Sequence, residues 1–126
     1  MTRVLYIEDD FNNRILVKRI LMAADIDMLE ADNARDGIEL ARANPPDLIL
    51  MDISMPDMDG VTATQRIREL PEIAHLPIIA VTANAMSGDR ENYLAAGCDG
   101  YISKPIDIDT FVDDILQYIG TRSSST

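Results

Sequence analysis

Short apolar runs alternate along the chain with longer segments in which apolar residues recur at helical spacing. Continuous runs of this kind are typical of strands buried on both faces, as in a parallel sheet that is covered by helices. The runs occupy residues 4–7, 28–29, 48–51, 78–81 and 101–102. The segments with helical period are 12–24, 34–43, 60–70, 85–96 and 108–119. The pattern therefore predicts five strands and five helices in alternation.

The last helix carries the clearest apolar stripe. From Ile108 to Ile119 its apolar residues fall at i, i+3, i+4, i+7, i+8 and i+11. Asp107 is a suitable N-cap, and Gly120 is suitable just beyond the C-terminus. After Gly120 the chain is polar and aperiodic. We therefore predict that residues 1–120 form one domain and that residues 121–126 are a disordered tail.

The alternation of strands and helices also predicts the fold class. Strands that are each followed by a helix imply βαβ units with right-handed crossovers. We predict an α/β fold, a (βα)₅ parallel sheet that is covered by helices. In such sheets the functional residues lie at the carboxyl ends of the strands.

Composition and charge exclude several classes of protein. The chain has 126 residues, 47% of them hydrophobic, which is enough for one domain with a buried core. Asp and Glu number 22 against 11 Lys and Arg, and the net charge of −11 argues against direct nucleic-acid binding. No apolar run approaches the ~20 residues of a membrane span, and the N-terminus does not resemble a secretion signal. The single cysteine excludes a disulfide framework and favours a cytoplasmic location. The single histidine excludes most zinc sites.

Charged residues follow three of the predicted strands. Glu8, Asp9 and Asp10 follow the first strand, Asp52 follows the third, and Lys104 follows the fifth. If the first and third strands are neighbours, Glu8, Asp9 and Asp52 converge on one pocket. Convergent carboxylates repel one another, so such a pocket takes up a proton or recruits a hard cation such as Mg²⁺. The alternative is that these acids only cap helices or lie solvated in loops, which is the commoner role of a single aspartate.

Two further side chains at strand ends are candidates for the same pocket. The chain has nine arginines and only two lysines, and the other lysine, Lys18, lies on a predicted helix surface. The ammonium group of Lys104 could bridge a carboxylate and a bound phosphoryl group, although it could also be an ordinary surface lysine. Thr82 offers a hydroxyl at the end of the fourth strand, where threonine is also common for its strand propensity alone.

Four motifs in this order resemble the receiver domain of two-component response regulators, in particular the single-domain regulators of chemotaxis and of the cell cycle. They are Glu8-Asp9 after the first strand, Asp52 between residues 47–51 and 55–60, Thr82 within residues 77–83, and Lys104-Pro105 at the end of residues 97–105. The resemblance covers residues 2 to about 119 and implies a doubly wound, flavodoxin-like sheet with strand order 2-1-3-4-5 between two helical layers (α/β/α). The family's acidic pair directly follows the strand, which leaves Asp10 to help cap the first helix.

The resemblance also implies a role for each residue of the pocket. Asp52 would be the phospho-acceptor, and Lys104 would contact the phosphoryl group. Mg²⁺, or Mn²⁺ in its place, would be bound by Asp9, by Asp52 and by the backbone carbonyl of Ser54. Glu8 would bind the ion through a water molecule.

Further residues are implied to act in the switch between the two states of such a domain. Thr82 would move to hydrogen-bond the phosphoryl group, and Tyr101 would follow by changing its rotamer. The peptide bond between Lys104 and Pro105 is expected to be cis.

The implied function is that of a single-domain response regulator. It would take a phosphoryl group from a sensor histidine kinase or a histidine phosphotransfer protein, and it would catalyse only its own phosphorylation and dephosphorylation. It would signal to a downstream protein target through contacts that phosphorylation switches, without nucleic-acid or membrane partners. We expect a cytoplasmic monomer, or a weak dimer formed through the fourth helix, fifth strand and fifth helix.

Three alternatives compete with this interpretation. The chain could be a receiver module of a hybrid histidine kinase, because residues 83–86 and 97–100 are similar to those receivers as well. A Mg²⁺-dependent aspartyl-phosphate phosphatase is disfavoured, because such enzymes carry a second aspartate two residues after the nucleophile, where this chain has Ser54. A flavin-binding electron carrier of the same fold is disfavoured, because the acidic loop after the first strand would repel the flavin phosphate.

Overall fold

The computed structural model describes residues 2–55, 57–83 and 87–124 and contains the predicted alternation of strands and helices. The strands are β1 (Arg3–Ile7), β2 (Asp27–Ala31), β3 (Leu48–Asp52), β4 (Ile78–Thr82) and β5 (Gly100–Ser103). The helices are α1 (Phe11–Ala23), α2 (Ala34–Ala43), α3 (Gly60–Arg68), α4 (Ser87–Ala96) and α5 (Phe111–Ser124).

The five strands form a single parallel sheet in the order β2-β1-β3-β4-β5, which confirms the implied topology. In the register of the central pair, Ile7 of β1 lies opposite Met51 of β3. Glu8, which follows Ile7, and Asp52, the last residue of β3, therefore lie side by side at the carboxyl edge of the sheet. In the outer pair, Thr82 of β4 lies opposite Ser103 of β5, which brings the next residue, Lys104, to the same edge.

The core lies in two layers, one on each face of the sheet. Alternate residues of a strand point to opposite faces. Leu48 and Leu50 of β3 therefore pack in the layer that contains Val17 of α1 and Phe111 of α5. The neighbouring Ile49 and Met51 pack on the opposite face, in the layer formed by α2, α3 and α4. This burial on both faces explains the continuous apolar runs and confirms the three-layer arrangement.

Side-chain caps begin three of the helices. Asp10 caps α1, because its carboxylate accepts hydrogen bonds from the backbone N–H groups of Asn12 and Asn13, and this confirms the role predicted for it. Asn33 caps α2 and Asp59 caps α3 in the same manner. Such caps satisfy backbone donors that have no partner within the helix.

The boundaries of α5 differ from the prediction. The helix begins at Phe111, and the carbonyl of Asp107 accepts a hydrogen bond from the Phe111 N–H. Ile108 consequently lies in a turn before the helix, 62% exposed, and does not belong to the apolar stripe. The helix continues past Gly120 to Ser124, because an interior glycine costs a helix only about 1 kcal/mol and does not by itself end it. Residues 121–124 are therefore helical, and residues 125–126 lie outside the described residues.

The remaining helix ends lie within two residues of the predicted ones. α4 begins at Ser87, and the predicted start at residue 85 lies outside the described residues. Across the described ranges, no helix combines the length and the apolar composition that crossing a membrane requires.

Candidate functional site

The carboxyl edge of the sheet brings the predicted charged residues together. Carboxylate oxygens of Glu8, Asp9 and Asp52 all lie within 4.8 Å of one another. Glu8 and Asp52 are buried, whereas Asp9 is exposed. The Lys104 Nζ lies 2.9 Å from Glu8 Oε1 and 3.3 Å from Asp52 Oδ1, so this lysine is part of the pocket and not an ordinary surface residue. The peptide bond from Lys104 to Pro105 is cis, as the resemblance implies.

Several donors hold the Glu8 carboxylate in place. Its Oε1 accepts hydrogen bonds from the Tyr6 hydroxyl and from the Asn13 amide, both at 3.0 Å, in addition to Lys104. Neither Tyr6 nor Asn13 was among the predicted site residues. Tyr6 had a detectable signal, since residues i and i+2 of a strand share a face and a buried tyrosine hydroxyl usually needs a hydrogen-bond partner. Glu8 is thus oriented before any ligand binds.

The two buried carboxyl groups have very different acidities. Burial and the neighbouring Glu8 carboxylate together raise the pKa of Asp52 to about 7, because they outweigh the lowering by Lys104 and by the Ser54 N–H. Burial alone would also raise the pKa of Glu8, but hydrogen bonds with Asp52 and Lys104 lower it to about 2. Below about pH 7 the pair therefore shares one proton, and Asp52 is the weaker acid of the two. Glu8 remains ionised beside the ammonium group.

The other two groups in this network keep their ordinary protonation. Burial lowers the pKa of Lys104, but the neighbouring carboxylates raise it above its ordinary value, so the ammonium stays charged. Burial and the Glu8 charge raise the pKa of the Tyr6 phenol, so it remains a hydrogen-bond donor. Both groups therefore present protons to Glu8 across the physiological pH range.

The loop after β3 closes tightly around Asp52. The backbone N–H of Ser54 donates to Asp52 Oδ1 at 3.2 Å, and the N–H of Gly60 donates to the Ile53 carbonyl at 3.0 Å. A Cβ atom at Gly60 would lie 2.6 Å from the Asp52 carbonyl oxygen and 2.9 Å from the Ile53 Cα, and both neighbours are backbone atoms. Only glycine fits this position, and the loop thereby orients the Asp52 side chain.

Thr82 and Tyr101 both contact residues of α4. The Thr82 Oγ1, which is buried, lies 3.0 Å from the Tyr93 hydroxyl. The guanidinium carbon of Arg90 lies 5.5 Å from the centre of the half-buried Tyr101 ring, within cation–π range. Tyr93 was not among the predicted site residues. A tyrosine on the core side of a helix nevertheless indicates a contact of this kind, because its buried hydroxyl usually needs a hydrogen-bond partner.

The donor set suits a small divalent cation. Carboxylate oxygens are the ligands that Mg²⁺ prefers, and it commonly uses one or two of them and keeps water on its other positions. Here three carboxyl groups converge, and one ammonium group only partly balances their charge. Glu8, Asp9 and Asp52 could therefore hold such an ion.

Comparison with known proteins agrees with this architecture. Residues 4–116 match the family model described as the response regulator receiver domain. The chain belongs to the response regulator receiver family. This receiver is 39% identical over 117 residues to the polar-differentiation response regulator DivK of Brucella anthropi, and the match covers 93% of the chain and 95% of DivK.

Solved structures of other receivers are similar as well. The receiver domain of the sensor histidine kinase PA1611 of Pseudomonas aeruginosa superposes with a TM-score of 0.86 at 33% identity, covering 94% of this chain and 98% of that one. That structure holds a magnesium ion coordinated in its active-site cleft. A CheY-like receiver protein of Methanospirillum hungatei superposes with a TM-score of 0.91 at 25% identity, covering 100% of this chain and 99% of that one.

Membership of this family defines the general function. The protein is a DivK- and CheY-like response regulator whose signalling fits a phosphorylation switch. Receiver domains interact with histidine kinases or phosphotransfer proteins and with downstream targets. The alternatives considered in the sequence analysis are not favoured.

Proposed function

We propose that Asp52 of this receiver accepts a phosphoryl group in a Mg²⁺-dependent reaction. The observation that carries the proposal is the position of this carboxyl group. It ends β3, is 2% exposed, lies within 4.8 Å of the Glu8 and Asp9 oxygens and is 3.3 Å from the Lys104 Nζ. A nucleophile, a cation site and a fixed positive charge therefore share one pocket.

The chain's own residues account for most of the chemistry. A carboxylate oxygen of Asp52 would attack the phosphorus atom of a phosphohistidine, and an acyl phosphate would form as the P–N bond breaks. Lys104 is placed to transfer its contact from Asp52 to an oxygen of the incoming phosphoryl group. Glu8 stays ionised, because Tyr6, Asn13 and Lys104 already stabilise its charge.

The metal would be held by the acidic residues of this pocket and by the loop after β3. Asp9, Asp52 and the Ser54 carbonyl would bind Mg²⁺ directly, with Mn²⁺ as a substitute, and Glu8 would bind it through water. When bound, the ion would neutralise charge on the transferring phosphoryl group. Because the pKa of Asp52 is about 7 without metal, the nucleophile needs a cation to be fully ionised at neutral pH.

The proposal extends to the signalling steps around this reaction. The phosphoryl donor would be a sensor histidine kinase or a histidine phosphotransfer protein, and the output would be a switched contact with a protein target. Thr82 and Tyr101 would change position on phosphorylation. The domain would comprise residues 1–120 and the continuation of α5 to Ser124. It would act in the cytoplasm and would be a monomer or a weak dimer through α4, β5 and α5. Its net charge of −11 supports protein partners over nucleic acid.

Intact-protein mass spectrometry after incubation with acetyl phosphate tests the acceptor directly. The native chain should gain one phosphoryl group in the presence of Mg²⁺ and none in EDTA, and Asp52→Asn should gain none. Asp109→Asn, which removes an exposed carboxylate outside the pocket, is the matched control and should be labelled like the native chain. Labelling of Asp52→Asn to the native extent, or labelling that is independent of Mg²⁺, would refute the proposal.

A further inference from the structure

A tyrosine of α4 forms a hydrogen bond with the proposed switch threonine. The Tyr93 and Thr82 hydroxyl oxygens lie 3.0 Å apart, and the two residues are only 6% and 4% exposed. We propose that Tyr93 is a positioning residue that holds the Thr82 hydroxyl in its resting orientation. Occupation of Asp52 by a phosphoryl group would then require this hydrogen bond to be exchanged. The inference rests on the proposed function and adds a residue to its switch.

The backbone of Thr82 is held firmly, so its hydroxyl can move mainly by side-chain rotation. Thr82 is paired with Ser103 of β5, and its carbonyl accepts a hydrogen bond from the Lys104 N–H at 2.8 Å. A threonine side chain has few χ1 rotamers because it is branched at Cβ. A new partner for the Oγ1 atom therefore means a change from one discrete rotamer to another.

Hydrogen-bond chemistry makes the resting and activated contacts exclusive when Thr82 is the donor in the resting pair. A hydroxyl carries one proton, and it can donate that proton to one acceptor at a time. Oxygens of an ionised phosphoryl group only accept, so Thr82 must donate to them. Where Thr82 donates in the resting pair, it must turn its proton away from Tyr93 to bind the phosphoryl group, and where Tyr93 donates, the contact is lost through rotation of the Oγ1 atom alone.

The same helix also contacts the second proposed switch residue. Arg90 precedes Tyr93 by three residues, and residues at this spacing share a face of a helix. The Arg90 guanidinium carbon lies 5.5 Å from the centre of the Tyr101 ring. α4 thus holds Thr82 through one side chain and Tyr101 through another, so the resting positions of both residues depend on where α4 lies.

The proposed role of Tyr93 predicts the direction in which its substitution changes the affinity for a phosphoryl analogue. Tyr93→Phe removes a hydrogen bond that exists only in the resting state, so it should favour the activated state. Beryllofluoride in the presence of Mg²⁺ occupies the place of the phosphoryl group and serves as the probe. We expect Tyr93→Phe to bind it about 2- to 12-fold more tightly, the equivalent of roughly 0.5–1.5 kcal/mol for one net hydrogen bond.

A double-mutant cycle on the full chain separates a positioning role from a purely structural one. Dissociation constants for beryllofluoride, in excess Mg²⁺, are measured by calorimetric titration. The variants are Tyr93→Phe, Thr82→Val and the double variant. Valine at position 82 removes this contact, so the gain in affinity from Tyr93→Phe should be smaller in that background than in the native one. Tyr118→Phe is the matched control, because no hydrogen bond of the Tyr118 hydroxyl is found among the described residues, and it should bind like the native chain.

The outcomes distinguish this inference from the proposed function. Unchanged or weaker binding by Tyr93→Phe overturns the role of Tyr93, and so does an equal gain in the Thr82→Val background. In both cases Mg²⁺-dependent binding by the native chain leaves the proposed function standing. Failure of the native chain to bind beryllofluoride overturns both proposals.

A second measurement needs no substitution and so does not depend on the stability of a variant. Three-bond NMR couplings of the Thr82 side chain report its χ1 rotamer in the native chain. We expect one rotamer before addition of beryllofluoride and Mg²⁺ and a different one after it. An identical rotamer in the two states would overturn the exchange of partners.

Discussion

Asp52→Asn should stabilise the metal-free protein at neutral pH, although it removes the proposed acceptor. Asp52 is 2% exposed and lies beside the ionised Glu8, so a negative charge on it is costly in the folded state. An amide has nearly the same shape and carries no charge. Its NH₂ group can also donate a hydrogen bond to Glu8 in place of the proton that Asp52 holds.

The magnitude follows from the acidity of the buried group. The pKa of Asp52 is about 7 in the folded protein against an ordinary value of 3.8. At about 1.4 kcal/mol per pH unit, this difference corresponds to roughly 4 kcal/mol, which is an upper limit for the gain above pH 7. We expect a gain of about 1–4 kcal/mol in the free energy of unfolding, or roughly 4 °C in Tm for each kcal/mol.

Urea unfolding in EDTA between pH 5 and pH 8 tests this prediction. Between the two pKa values of Asp52 the folded state binds a proton that the unfolded state does not bind. The native chain therefore loses stability as the pH rises towards 7, and the advantage of the variant should grow over the same interval and level off above it. Glu8 contributes the opposite dependence only below its ordinary pKa of 4.5, outside the range measured.

An exposed aspartate provides the control for this experiment. Asp109→Asn removes the same charge at the surface, and its stability should stay within about 0.5 kcal/mol of the native value at each pH. The reasoning is refuted if Asp52→Asn is no more stable than the native chain at pH 7.5. A gain that does not change with pH would refute it equally, since the acidity of Asp52 would then not be its cause.

Two further substitutions test the structure around the acceptor. Gly60→Ala should lower the free energy of unfolding by about 1–3 kcal/mol and slow phosphorylation by acetyl phosphate, because the new methyl group would lie against the Asp52 carbonyl oxygen, 2.6 Å away. Tyr6→Phe should cost about 1 kcal/mol and raise the pKa of Glu8, because it removes a buried hydrogen bond to that carboxylate. Urea unfolding measures both costs, and NMR titration of the Glu8 carboxyl carbon measures the pKa.

These two predictions have clear contrary outcomes. A Gly60→Ala protein with native stability would show that the loop after β3 can open without cost. The control for Tyr6→Phe is Tyr118→Phe, which also removes one tyrosine hydroxyl but lies outside the pocket. Equal behaviour of the two tyrosine variants would mean that the Tyr6 hydroxyl does not stabilise Glu8.

The order of the strands and helices was predictable because it depends on local patterns. The central residues of β1, β3 and β4 are buried on both faces of the sheet and are therefore apolar, and such runs are visible in the sequence. The end of α5 was not predictable from Gly120, because one glycine weakens a helix without ending it. Its start was misplaced for a related reason. Ile108 continues the apolar period but lies in a turn. The spacing of apolar residues does not show at which residue the helical backbone begins.

The sequence by itself determined which residues stand at the carboxyl ends of the strands, because strand ends follow from the apolar runs. Glu8, Asp52 and Lys104 were identified in this way. Only the tertiary structure decided how they are held. The hydrogen bonds from Tyr6 and Asn13 to Glu8, and the contact of Tyr93 with Thr82, depend on the packing of helices against the sheet. The tertiary structure also decided the acidity of Asp52, because its burial and the adjacent Glu8 carboxylate exist only once the strands lie side by side.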